Sequence, residues 1–231
     1  MERVTEPELM NESSQVVAYS QADFEKSDAR LIRSLEEFLS IHNLIHSSPK
    51  LILDLGCGPG NISEKLSRRF PKSIVIGIDG SKRMIEIAKK RKAKEPLLDN
   101  NLSYLCSEIS LLLENELIPY KSVDLIVSNS CLHHFHSPNI FWSVIKLLLR
   151  KGGVTFHRDL MRPESDDIAR ELMEKYLPDS PLVLKRDFFA SLKAAFSVEE
   201  IRSQLDSSGF HKLKVYEVDD KYIEFSALSL G

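Results

Sequence analysis

The stretch Leu51-Ile52-Leu53-Asp54-Leu55-Gly56-Cys57-Gly58-Pro59-Gly60-Asn61 constrains this chain more than any other. A short aliphatic run bounded by glycines reads as a strand buried on both faces. Gly56 and Gly58 allow a sharp turn and let a ligand approach bare backbone. Asn61 followed by Glu64 predicts a capping box, so the next helix would turn its free N–H groups toward that turn.

Two ligand classes use such a turn. In the dinucleotide fingerprint Gly-x-Gly-x-x-Gly the pyrophosphate rests on the helix N-terminus. Here the sixth position is Asn61 and the fifth is Gly60. With Asp54 two residues before the first glycine, the string resembles motif I of the class I S-adenosylmethionine-dependent methyltransferases.

The size and charge of the chain fit one soluble unit. With 231 residues, 42% of them hydrophobic, it can bury one substantial core, so residues 1–231 are read as a single domain. A net charge of −3 gives no general pull toward nucleic acid or anionic membrane. Three cysteines argue against a disulfide framework. The polar N-terminus lacks an apolar signal core, and no apolar run is long enough to span a bilayer. The expected location is cytoplasmic, as a monomer or homodimer.

Residues 1–26 are polar, with Val16, Val17, Tyr19 and Phe24 able to dock on a core. They form either a frayed arm or a cap. The resemblance favours a cap, because the N-terminal segment of such enzymes closes over the cofactor and sends an aromatic residue into the site. Tyr19 or Asp23 would fill that place. Residues 28–46 put Leu31, Ile32, Leu35, Phe38, Leu39 and Ile45 on one helical face, and Ser47, Ser48 and Pro49 break it.

Ser73–Ile78 reads as a second strand ending at Asp79, at the spacing where nucleotide-binding sheets offer a carboxylate to ribose hydroxyls. A helix-capping role is the competing reading. Residues 82–94 are strongly basic. Met84, Ile85, Ile87 and Ala88 supply a buried stripe, and no aromatic residues are interleaved for base stacking, so the charges read as a wet helix face. Strands follow at Leu102–Cys106 and Val123–Asn129.

The continuation DLIVSNSCLHHF resembles the family's motif after its fourth strand. Two adjacent histidines suggest a metal, but neither His136 nor His157 completes a chelating pattern, so no metal is expected. His133 and His134 either line the acceptor pocket or anchor the loop. A fifth strand is predicted at Val154–His157, after a turn at Lys151-Gly152-Gly153. Arg158 and Asp159 then either face the site or form an internal salt bridge. Residues 164–196 exceed a single crossover, and their aromatic content suggests two helices forming a substrate lid. Ser197 to Glu200 forms a capping box, and residues 213–227 read as a hairpin.

Alternating strands and helices give an α/β doubly wound sheet. The resemblance implies a Rossmann-like sheet of seven strands in order 3-2-1-4-5-7-6, strand seven antiparallel. Helices would lie on both faces, with residues 1–46 as cap, 50–160 as cofactor core and 164–196 as lid. It assigns Asp54, Gly56, Cys57, Gly58, Asp79, Gly80, Ser81, Met84, Glu108, Ile109 and Asn129 to S-adenosyl-L-methionine. Met84 would lie on the adenine, and Glu108 stands where relatives usually carry Asp. Asn129 would meet the methionine end.

The reaction implied is in-line methyl displacement onto a small-molecule acceptor bound by Tyr19, His134, Arg158 and Phe188. Asp159, His133, His134 and Tyr19 are the base candidates. No Asn-Pro-Pro-Tyr-type string follows strand four, so methylation of a nucleobase or amide nitrogen is not expected. The alternatives are a tRNA or protein methyltransferase, and a non-catalytic binder of the same nucleoside. A basic pocket mouth would mark the first, and blocked space at the methyl group the second.

Overall fold

The computed structural model describes residues 1–7, 9–10, 12–42, 49–114 and 117–229. The predicted Ile45 of the second helix and its break at Ser47 and Ser48 lie outside them. In chain order the elements are α1 (Ser13–Gln21), α2 (Glu25–Ile41), β1 (Leu51–Leu55), α3 (Asn61–Arg69), β2 (Ile74–Asp79), α4 (Lys82–Lys92) and β3 (Leu102–Cys106). There follow α5 (Leu111–Glu114), β4 (Val123–Asn129), α6 (Pro138–Leu148), β5 (Leu149–Leu160), α7 (Asp166–Tyr176) and α8 (Leu182–Ala194). The chain ends with α9 (Val198–Ser207), β6 (His211–Glu217) and β7 (Tyr222–Leu228).

The seven strands make one sheet in the order β3-β2-β1-β4-β5-β7-β6, as the resemblance implied. The first five are parallel, and β7 runs antiparallel to both β5 and β6. Central strands buried on both faces need apolar residues on both. Leu53 and Leu55 of β1 pack under α6 and α9 with Trp142, Ile145 and Ile201, while Ile52 packs under α2 and α3 with Leu35 and Leu66. A smaller apolar cluster of Leu160, Ala169, Leu172, Leu192 and Tyr222 holds α7 and α8 against the end of β5.

Several local expectations hold. Ser197 and Glu200 make the capping box that starts α9, each side chain taking the other's backbone N–H. Pro138 opens α6. In α4 three residues of the expected stripe, Met84, Ile85 and Ala88, are buried, and the fourth, Ile87, is half-buried.

Two expectations fail. Asn61 does not cap α3, because Gly60 holds the cap position at φ 90°. Asn61 instead donates from Nδ2 to Asp28, and Glu64 takes the Arg91 guanidinium at 3.0 and 3.1 Å. The fifth strand is also three times longer than predicted. It starts at Leu149, runs through both glycines, and stays paired to β7 as far as Leu160 opposite Tyr222.

Candidate active site

The carboxyl ends of β1, β2, β3 and β4 open onto a cavity of about 1180 Å³. A crevice beyond strand ends is where open α/β sheets bind ligands. Its floor is the glycine turn, with Gly56 at φ 66° and Gly58 at φ 52°, conformations costly for other residues. Tyr19 of α1 covers the turn: a Cβ on Gly58 would meet its ring edge at 3.9 Å. The Tyr19 ring is braced by Phe24 at 4.9 Å, and burial raises its phenol above the ordinary range.

Asp79 ties β2 to the turn. Its Oδ2 accepts from the Gly58 N–H at 2.8 Å and its Oδ1 from the Ser81 N–H at 2.7 Å. Burial raises its pKa, and those two amides pull it back. Each oxygen keeps a free lone pair on a cavity wall shared with Gly80, Met84, Glu108 and Ile109. Asp79 thus shapes the local turn and shows a carboxylate to the cavity, while the cap of α4 is Ser81. Asn129 reaches the cavity from β4, and its Oδ1 is buried with no hydrogen-bond partner.

Three residues assigned to the cofactor sit behind this wall. Asp54 is buried under the turn, its Oδ2 bonded by the Ser63 hydroxyl at 2.5 Å. Burial pushes its carboxyl up to about 7, against the opposing pull of Ser63. Cys57 is buried beside it, and Ser81 spends its hydroxyl capping α4.

The acceptor assignments need more correction. Arg158 is 1% exposed and does not reach the cavity. Its Nε donates to Glu224 Oε1 at 2.9 Å, its Nη2 reaches the same oxygen, and its Nη1 meets the Ser27 carbonyl at 2.8 Å. Asp159 is buried as well, one layer behind the cavity. It accepts from the His133 ring Nδ1, the His133 N–H and the Leu160 N–H. The physical reason is strand length: at both residues β5 is still flanked by β4 or β7, not yet past the sheet's edge.

His133 and His134 both line the cavity, in a single turn after β4. Glu6 joins them from the N-terminal segment, with Oε1 at 3.4 Å from His133 Nε2 and 3.1 Å from His134 Nδ1. This places a third ligand-type group beside the two histidines, in a cluster whose donor atoms lie within 4.8 Å. Burial alone would lower His133, but Asp159 and Glu6 outweigh it and raise the ring to about 10. The two carboxylates therefore favour the protonated form of His133.

The far wall comes from α7, α8 and the turn between β6 and β7. Phe188 lines the cavity and its neighbour Phe189 does not, while both half-buried rings pack against the apolar cluster under α7 and α8. The N-terminal segment is stitched across this side. Arg3 donates to the carbonyls of Ala194, His133 and Phe135, and Val4 N–H to Lys193. Leu9 rests on Gly80, where a Cβ would approach it to 2.6 Å.

Residues 52–153, from β1 into β5, match the "Methyltransferase domain" family model. Over these residues the chain carries a methyltransferase domain of the class I, S-adenosylmethionine-dependent kind. It is 28% identical over 151 residues to a trans-aconitate 2-methyltransferase of Acidovorax ebreus, covering 64% of this chain and 53% of that protein. It is 35% identical over 86 residues to a malonyl-[acyl-carrier protein] O-methyltransferase of Priestia megaterium, covering 37% and 28%. The chain thus spans about half the length of the first relative and less of the second.

The fold superposes on a SAM-dependent methyltransferase from Aquifex aeolicus with TM-score 0.68, 19% identity, and 95% and 99% of the two chains covered. For the plantazolicin methyltransferase BamL, solved with a desmethyl analogue and SAH, the values are 0.71, 20%, 94% and 91%.

The residues present fit S-adenosylmethionine, the cofactor of this family. The unpaired Asn129 Oδ1 would accept from the cofactor's ammonium, and the open lone pairs of Asp79 from its ribose hydroxyls. Met84, Ile109 and Glu108 would border its adenine.

Sequence reasoning missed Glu6, Asp28, Tyr176, Lys221 and Tyr222, all close to or lining the cavity. Only Asp28 carried a signal, as an acid on the apolar face of α2 with Leu31 and Leu35. Burial raises it to about 6, opposed by the Asn61 amide. Among the described residues no helix is long and apolar enough to cross a membrane.

Proposed function

We propose that this chain transfers a methyl group from S-adenosylmethionine to a small organic acid. The observation that carries this reading is one cavity bounded by the glycine turn, Asp79 and Asn129 on one side and by α7 and α8 on the other. At about 1180 Å³ it exceeds the roughly 300–1000 Å³ typical of a single-ligand pocket, which leaves room for an acceptor beside the cofactor. The relatives named for trans-aconitate and malonyl-[acyl-carrier protein] support a carboxylate-bearing acceptor.

When bound, the cofactor supplies a methyl group on cationic sulfur, and transfer to an acceptor oxygen breaks the C–S bond with its electron pair going to sulfur. The protein's part is alignment, which contributes up to roughly 7–11 kcal/mol in favourable systems. Tyr19 and the N-terminal segment hold water away from the turn, and Phe188 bounds the acceptor side. Asp159 and Glu6 favour the protonated form of His133 and balance its charge, so this ring is engaged with them rather than offered as a base. A carboxylate acceptor is already ionised near neutral pH and requires no base. These features agree, and they make Asp159 a positioning residue for His133.

The test is to incubate the protein with methyl-labelled cofactor and a panel of small mono-, di- and tricarboxylic acids. Label should enter an alkali-labile ester of at least one acid. Transfer only to RNA or to protein would overturn the acceptor class.

A further inference from the structure

Lys221 sits in the turn between β6 and β7 and lines the cavity on its α7–α8 side. Its ammonium lies 3.6 Å from the centre of the Tyr176 ring, 4.7 Å from Tyr222 and 5.5 Å from Phe188. The neighbouring carboxylates are engaged elsewhere. Asp219 accepts from Arg30 and from the backbone N–H groups of Lys221 and Tyr222. Asp220 takes the Lys175 ammonium at 2.5 Å and the Tyr176 hydroxyl.

Among the described residues none accepts a hydrogen bond from the Lys221 ammonium, which meets ring faces and feels Asp219 and Asp220 only through space. Ring faces attract a cation but leave its N–H groups without acceptors, and such groups are costly to desolvate. Burial accordingly lowers the pKa of this lysine.

We propose that Lys221, backed by Tyr176, Phe188 and Tyr222, anchors a carboxylate of the acceptor. The rings cover one side of the ammonium and turn its donors toward the cavity, where an anion would complete them. They also offer flat apolar surface to the carbon body that carries the acid. A carboxylate held here fixes the substrate while another group receives the methyl. The proposal rests on the methyl-transfer reading above and names the group that selects its substrate.

Calorimetry tests it, with S-adenosylhomocysteine, and with trans-aconitate, succinate and butyrate and their methyl esters, each titrated into protein with and without the nucleoside. The variants are Lys221→Met, which keeps the apolar stem, and Lys221→Arg, which keeps the charge; melting temperatures confirm that both fold. One of the acids should bind the native protein, and its ester more weakly. Lys221→Met should weaken the acid about 10–100-fold, the equivalent of one charged hydrogen bond, while Lys221→Arg retains most of the affinity. Nucleoside affinity should be the same in all three.

Equal acid affinity in Lys221→Met, equal affinity for acid and ester, or no acid bound at all would overturn the anchor. Acid binding that depends on Lys221 in a protein with no affinity for the nucleoside would support the anchor and sink the methyl-transfer reading instead.

Discussion

Replacing Glu224 with leucine separates the structural role of Arg158 from a substrate role. Glu224 is fully buried and stands opposite Arg158 in the β5–β7 pairing. Its Oε1 takes two guanidinium nitrogens, and its Oε2 takes the Tyr216 hydroxyl at 2.5 Å. Removing it leaves a guanidinium with one remaining acceptor, the Ser27 carbonyl. Breaking one side of a buried ion pair costs about 3–5 kcal/mol. For a chain of this size each kcal/mol lowers the melting temperature by about 2–4 °C, so Glu224→Leu should melt about 6–20 °C lower.

The double variant Arg158→Met/Glu224→Leu removes the stranded charge and should recover most of that loss, since apolar replacements of buried pairs are often neutral or better. Thermal unfolding by circular dichroism reads the stability, and nucleoside binding below the transition reads the site. Binding should stay normal in both variants. A Glu224→Leu protein that melts like the native one yet loses acceptor turnover would refute the reasoning and return Arg158 to the substrate.

Two further outcomes follow from buried groups. Burial pushes the His157 ring down to about 3, so its contribution to stability is present above about pH 6.5 and lost as pH falls toward 3. His133 is raised to about 10, so its contribution is present below about pH 6.5 and lost as pH rises through 10. Melting curves across this range should peak near neutrality, and Asp159→Asn should flatten the alkaline limb; an unchanged limb would contradict the ion pair. Phe188→Ala should lower acceptor turnover more than stability, whereas Phe189→Ala, at a half-buried ring off the cavity, should lower stability and leave turnover of the folded fraction unchanged. Equal behaviour of the two in melting and turnover assays would deny the division between cavity face and packing face.

That Gly56, Gly58, Asp79 and Asn129 meet at one cavity was legible in the sequence because their determinants are local. A glycine turn after a strand, an acid at the next strand's end and an asparagine at the fourth strand's end come into register once the sheet order is known. What failed depended on where a strand stops. Arg158 and Asp159 were placed beyond β5, but the strand runs to Leu160 because β7 continues to pair with it, and pairing encloses both side chains. The rest was nonlocal. Glu6 meets His133 across more than half the chain, and Lys221 meets Tyr176 only because the β6–β7 turn folds back onto α7. Asn61 and Glu64 misled for a different reason: the cap geometry went to a left-handed glycine, which freed both side chains for Asp28 and Arg91.

The central claim is that the glycine turn, Asp79 and Asn129 form a site for S-adenosylmethionine. The most direct measurement is a calorimetric titration of the native chain with S-adenosylhomocysteine and, separately, with NAD. A carboxylate that accepts from ribose hydroxyls contributes about 1.5–3 kcal/mol per bond, so Asp79→Ala should weaken nucleoside binding by about tenfold or more. One-to-one saturable binding of the homocysteine nucleoside, lowered by that substitution and absent for NAD, is the predicted result. Saturable binding of NAD, with no heat from the homocysteine nucleoside, would contradict it.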